Sequence, residues 1–167
     1  MVILVMGVAG SGKTTVGSEL ARRLAWKFAD GDDYHPAANL EKMSHDIPLT
    51  DEDRAPWLAT LRQLISDWIR TGVNAVLACS ALKKMYRDEL RVGPEVCVLY
   101  LKADPEVLRA RLHNRHGHFM KEEMLASQLA ALEEPDDAVV VDVGGTLDES
   151  VQQALYKLGL AEQAVAP

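Results

Sequence analysis

Short runs of consecutive apolar residues alternate with segments whose apolar positions recur every three or four residues. The first run, Val2-Ile3-Leu4-Val5-Met6, has no polar interruption, the pattern of a strand covered on both faces. Val16, Leu20, Ala21 and Leu24 then follow at helical spacing. Lys27-Phe28-Ala29-Asp30 predicts a short strand ending in acid, and residues 36–71 read as helical with a loop near Ile47-Pro48. Within that stretch Trp57, Leu61, Leu64, Ile65 and Trp68 form a stripe expected to face a core, with Trp57 a candidate to line a pocket as well. Further strands are predicted over 73–79, 96–101 and 138–142, followed by helices over 81–91, 105–115 and 147–158. Five apolar strands separated by helices predict an α/β fold, a five-stranded parallel sheet flanked by helices, with the segment from Ala161 fraying.

The length of 167 residues fits a single domain, spanning 1–167. No segment approaches the roughly 20 apolar residues a membrane span needs. No charged leader precedes the first strand, so a cytoplasmic protein with no membrane partner is expected. Cys79 and Cys97 both lie in apolar runs and read as buried free thiols. A net charge of −7 argues against nucleic acid as a partner. It leaves room for anionic small molecules, because a local cluster of donors can outweigh the global sign.

Gly7-Val8-Ala9-Gly10-Ser11-Gly12-Lys13-Thr14 completes the pattern G-x-x-x-x-G-K-[ST] between the first strand and the first helix, the context a phosphate-binding loop requires. Gly7, Ala9, Gly10, Ser11, Gly12, Lys13, Thr14 and Thr15 are therefore the candidate ATP-binding residues. Glycines let backbone N–H groups turn toward a polyphosphate, Lys13 reaches the β/γ oxygens and Thr14 offers its hydroxyl to Mg²⁺.

Asp30-Gly31-Asp32-Asp33 closes the second strand, where carboxylates face the phosphate loop and can hold a metal's hydration shell or accept a proton. The third strand ends in Cys79-Ser80 without an acid, which makes Asp30 the metal-side carboxylate. His35, Lys42 and Arg54 fall in the insert over 33–71, and donors there suggest an anionic or polyhydroxylated acceptor. Arg109, Arg111 and Arg115 lie on the helix after strand four, and His116-Gly117-His118-Phe119-Met120-Lys121 breaks before another helix. Residues 111–128 thus read as a short lid carrying cations for transferring phosphates, with Arg111 and Arg115 the catalytic candidates. The spacing of His113, His116 and His118 fits no standard metal set. Gly144-Gly145-Thr146 is either a turn beside a purine base or a plain strand–helix connection.

With these blocks in order, the chain resembles the gluconokinase family of small P-loop kinases over nearly its whole length. The resemblance rests on the phosphate loop, Asp-Gly-Asp-Asp-Tyr-His-Pro at 30–36, Asn39 with Lys42-Met43, and Ile47-Pro48-Leu49-Thr50-Asp51. It continues through Asp53-Arg54, Pro56-Trp57-Leu58, Cys79-Ser80-Ala81-Leu82-Lys83, the block 115–120, Ser127-Gln128 and Leu132-Glu133-Glu134-Pro135. It implies a P-loop nucleoside-monophosphate-kinase-like fold and transfer of the γ-phosphoryl group of ATP to the 6-hydroxyl of D-gluconate. It further implies that Lys13 and Thr14 hold phosphates and Mg²⁺, that Asp30 binds metal-coordinated water, and that Asp32 accepts or orients the sugar hydroxyl. Arg54, His35, Lys42 and Gln128 would hold the acid sugar, Arg111 and Arg115 would be lid cations, and a homodimer would be common. The chain departs from the family at Thr14, where many relatives carry Ser, and at His45-Asp46-Ile47, which replaces a Ser-x-Gly-x turn.

Overall fold

The computed structural model describes residues 1–45, 47–113 and 118–164, with the side chains of 118–122 excepted. Every residue of β1 (Val2–Met6) is buried, because the strand occupies the centre of the sheet and is covered on both faces. The other strands are β2 (Lys27–Asp30), β3 (Ala75–Ala78), β4 (Val96–Lys102) and β5 (Val139–Asp142). Their order is β2-β3-β1-β4-β5, all parallel. The helices are α1 (Lys13–Leu24), α2 (Ala37–Ser44), α3 (Asp51–Arg70), α4 (Lys84–Leu90), α5 (Pro105–His113), α6 (His118–Ala131) and α7 (Leu147–Lys157). A 3-10 turn over Gly31–Tyr34 joins β2 to the α2 region.

Alternation along β1 sorts the core into two layers. Val2, Leu4 and Met6 pack with Trp57, Leu61, Ile65, Tyr86 and Leu90 of α3 and α4. Ile3 and Val5 pack with Val16, Leu20, Val151 and Leu155 of α1 and α7. A third cluster of Val8, Leu82, Leu108, Leu112 and Leu125 fastens α5 and α6 to the start of the phosphate loop. Because β1 lies between β3 and β4, the chain leaving Met6 enters the crevice where the two halves of the sheet diverge, and ligands of open parallel sheets bind in such a crevice. The register pairs Asp30 with Ala78 and Val5 with Ala78, so the ends of β2, β3 and β1 open onto one edge.

Two predicted boundaries move by more than one residue. The strand expected over 73–79 shortens to Ala75–Ala78, since the Val73 amide is drawn back to Trp68 O (2.8 Å) by the turn closing α3. The helix expected over 81–91 begins only at Lys84, because Ala81 adopts a left-handed φ of 43°. The buried Arg87 guanidinium holds that exit by donating to Ala81 O (3.0 Å) and Leu82 O (2.9 Å). The helix expected over 105–115 is described to His113, and Arg115 with the segment to Gly117 lies outside the described residues. Cys79 and Cys97 are free, and burial pushes the Cys79 thiol up to about 12. Among the described residues no helix is long and apolar enough to cross a membrane.

An ion cluster ties α1 to α7. The buried Arg23 side chain donates to Glu19 (2.8 Å) and to Asp148 (2.7 Å), and Arg22 also meets Glu19 (2.8 Å). Hydrogen bonds from Arg22 and Arg23 hold the Glu19 carboxyl down at about 2, below its ordinary 4.5. A depressed carboxylate stabilises the fold above its unfolded value and loses that contribution as pH falls through its folded value. Glu19→Gln is therefore expected to cost about 1 kcal/mol near neutrality. Thermal melts between about pH 6 and pH 3 should show the gap to wild type closing toward the acid end.

Candidate active site

Lys13 opens α1, and Gly12 supplies its N-cap with a left-handed φ of 86°, following Gly10 at φ 81°. Only glycine adopts this sequence of conformations without strain, and it is what turns the loop amides inward. The Lys13 ammonium donates to Val8 O (3.2 Å) across the loop. Burial lowers its pKa, against the pull of Asp32, Cys79 and Asp30. Its ammonium is thus placed to meet an anionic ligand in the loop.

The Thr14 hydroxyl donates to Asp30 Oδ2 (2.6 Å), and the Asp32 amide donates to Asp30 Oδ1 (3.1 Å). The Asp30 side chain therefore caps the 3-10 turn while facing the first residues of α1. Asp32 stands in the open cleft, its carboxyl raised by desolvation first and by Asp30 second, against Lys13 and His35. The Thr14 hydroxyl and the Asp30 carboxylate form a hard oxygen pair. They suit Mg²⁺, which takes one or two protein oxygens and completes its shell with phosphate and water. Among the described residues no group of three or more His, Cys, Asp or Glu could hold a metal by itself.

The opposite wall grows from Trp57. Its buried indole donates Nε1–H to Gly31 O (2.7 Å), and its ring stacks on His35 with centroids 4.3 Å apart. The buried Asn39 sits one helical turn beyond His35. Its amide donates to Asp53 O (2.8 Å) and lies 3.2 Å from His35 Nδ1. With the amide nitrogen committed as donor on both sides, Nδ1 must accept and Nε2 must carry the imidazole proton. Burial lowers the His35 pKa, which favours the neutral ring, with Nε2 4.0 Å from Asp32 Oδ1.

The remaining predicted residues separate. Lys42 is chelated by both oxygens of Asp53 (2.7 and 2.8 Å), and Asp53 completes a capping box with Thr50 at the start of α3. Arg54 donates to Leu49 O (2.6 Å) and lies 5.9 Å over the Tyr86 ring. Gln128 Oε1 accepts from the Ala9 amide (2.7 Å), which puts α6 against the phosphate loop. The Arg111 guanidinium donates to Val143 O and to Gly145 O (3.4 Å). It lines a cavity of about 370 Å³ with Gly10, Ser11, Gly12, Thr15 and Gly145. Asp30 and Asp32 are not among the residues lining that cavity. Arg115 lies outside the described residues.

Sequence reasoning passed over Asn39, Asp51, Lys83 and Tyr86 as site residues. The i,i+4 spacing of His35 and Asn39 was the available signal for the first. Lys83 and Tyr86 reach this wall only because α4 packs on α3, which no local pattern announces.

Comparison with known proteins places the chain among relatives. A protein-family model described as an AAA domain matches residues 2–135. A gluconokinase of Gluconobacter oxydans (strain 621H) is 50% identical over 146 residues, covering 86% of this chain and 82% of that protein. The thermosensitive gluconokinase of Escherichia coli (strain K12) is 46% identical, covering 90% of this chain and 83% of the relative. A crystal structure of a gluconokinase from Sinorhizobium meliloti 1021 superposes with a TM-score of 0.85 at 44% identity, covering 96% of this chain and 93% of the other.

Proposed function

The chain belongs to the gluconokinase family, and from that premise we infer that it transfers the γ-phosphoryl group of ATP to the 6-hydroxyl of D-gluconate, giving 6-phospho-D-gluconate and ADP. The observation that carries the reading is the meeting of Thr14 with Asp30 at 2.6 Å, one residue from Lys13 and two from Asp32. It gathers a phosphate cation, a metal-side oxygen pair and a proton acceptor at one mouth.

In the transfer the bond between the γ phosphorus and the β–γ bridging oxygen breaks and a bond from the acceptor oxygen forms. The hydroxyl proton passes to a carboxylate, the role assigned to Asp32. Its raised pKa suits the task, because a stronger base takes the proton more readily. Lys13 neutralises charge on the phosphate oxygens, and the loop amides hold them in line. Mg²⁺, when bound beside Thr14 and Asp30, supplies further neutralisation of the polyphosphate. Arg111, on the carbonyls of Val143 and Gly145, belongs to the nucleoside end of the site, and the role of lid cation is assigned to Arg115 on the family resemblance alone. Lys42, tied to Asp53, supports the wall that holds the acceptor.

ADP release with ATP and Mg²⁺ is expected to require D-gluconate and to fail with shikimate, glucose or AMP. ATP binding without turnover on any acceptor would retain the nucleotide site and overturn the acceptor.

The imidazole tautomer yields a further expectation. Asn39→Asp replaces the donor beside His35 Nδ1 with an acceptor and should move the proton to Nδ1. Nitrogen-15 shifts of the ring would read the exchange, and the KM for gluconate should rise about tenfold with the KM for ATP unchanged. An unmoved tautomer would remove Asn39 from this role.

A further inference from the structure

Three side chains between the start of α3 and the start of α4 converge on one carboxylate. Lys83 Nζ donates to both oxygens of Asp51, at 2.7 and 2.8 Å, and the Tyr86 hydroxyl donates to Asp51 Oδ1. Arg54 Nη1 lies 4.0 Å from the same oxygen. Both cations also lie near the Tyr86 ring, with Lys83 Nζ 5.6 Å and the Arg54 guanidinium 5.9 Å from its centroid. All three charged side chains keep solvent access, between 32% and 43%.

The charge does not balance. Two cations face one anion, leaving one positive charge over in a protein whose net charge is −7. The neighbouring acid, Asp53, is spent on Lys42 and the capping box. Arg54 directs its Nη1 hydrogen bonds to the carbonyls of Leu49 and Thr50, so it is positioned without being neutralised.

The cluster also continues the acceptor wall. Arg54 acts electrostatically on His35, which stacks on Trp57 and stands 4.0 Å from Asp32. The wall therefore runs from a proton-accepting carboxylate at one end to an excess of cationic and phenolic donors at the other. A straight-chain acceptor matches it when it carries its reacting hydroxyl at one terminus and a carboxylate at the other, as a six-carbon aldonic acid does.

We propose that Lys83, Tyr86 and Arg54 form the subsite for the acceptor's carboxylate, and that Asp51 occupies it until the acceptor arrives. This rests on the gluconate reading above. The entering carboxylate takes the Lys83 and Tyr86 hydrogen bonds from Asp51, so Asp51 is an internal competitor that tempers affinity. Charge-assisted bonds to a carboxylate are the strong ones, and they give the site its means of preferring an acid over a neutral polyol of the same length.

Steady-state kinetics with D-gluconate and its neutral analogue D-gluconamide test this. Lys83→Met should raise the gluconate KM by about 10–100-fold and the gluconamide KM by less than about threefold, with the ATP KM and Tm near wild type. Lys83→Arg should recover part of the loss. Asp51→Asn should lower the gluconate KM, whereas a merely structural tie between α3 and α4 would leave it unchanged or raise it. Wild-type turnover on gluconate, with a Lys83→Met KM that is unmoved or rises equally for both acceptors, overturns the subsite alone. No gluconate-dependent ADP release by the wild-type protein overturns the gluconate reading, and the subsite with it.

Discussion

Replacing Asp32 with asparagine is expected to lower kcat by about 10²–10⁴-fold while ATP affinity stays within about threefold of wild type. Asparagine preserves volume and can still hydrogen-bond the acceptor hydroxyl, but it cannot take the proton. The raised carboxyl of Asp32, squeezed by desolvation and by Asp30, is suited to that proton, and the substitution also removes the negative charge that faces Lys13 and His35. The backbone there is held independently of the side chain, through the Asp32 amide on Asp30 and through Gly31 O on Trp57. Folding should therefore be untouched. Single-turnover measurements with saturating ATP and gluconate isolate the step, and an unchanged rate would strip Asp32 of its role.

Lys13→Ala should be the other severe loss, about 10²–10³-fold in kcat, with weakened ATP binding as well. Two acids, Asp30 and Asp32, flank the position, and without the ammonium they would repel the polyphosphate rather than balance it. The Lys13 side chain contributes little to folding, since among the described residues its ammonium hydrogen-bonds the Val8 carbonyl alone. Circular dichroism should match wild type. A Lys13→Ala protein that turns over normally would dismiss the phosphate loop as the catalytic centre.

The sheet was legible because its signal is local. An unbroken run such as Val2–Met6 has few alternatives to a strand covered on both faces, and the glycine spacing of 7–12 dictates a loop geometry by itself. The exit from β3 was not legible in this way. Ala81 takes a left-handed conformation normally flagged by glycine, and what holds it is Arg87, six residues on and pointing back. Partners of charged residues were hidden for a related reason. Lys42 reads as a free donor until the loop after α2 brings Asp53 beside it, although the Thr50–Asp53 capping spacing was present in the sequence. Arg111 reads as a lid cation until the β5–α7 connection offers it two carbonyls. In each case the deciding neighbour is at least six residues distant, and only packing supplies it.

The stacking of His35 on Trp57 gives the protein a built-in optical probe. Of its three tryptophans, Trp68 is packed in the core with α3 and Trp26 lies against the layer of α1 and α7, while Trp57 alone is in ring contact with a residue of the acceptor wall among those described. Its emission should respond when an acceptor settles beside the imidazole and stay quiet when nucleotide enters the cavity beyond Gly10. The order in which the two substrates arrive can then be followed by intrinsic fluorescence in real time, with no label attached.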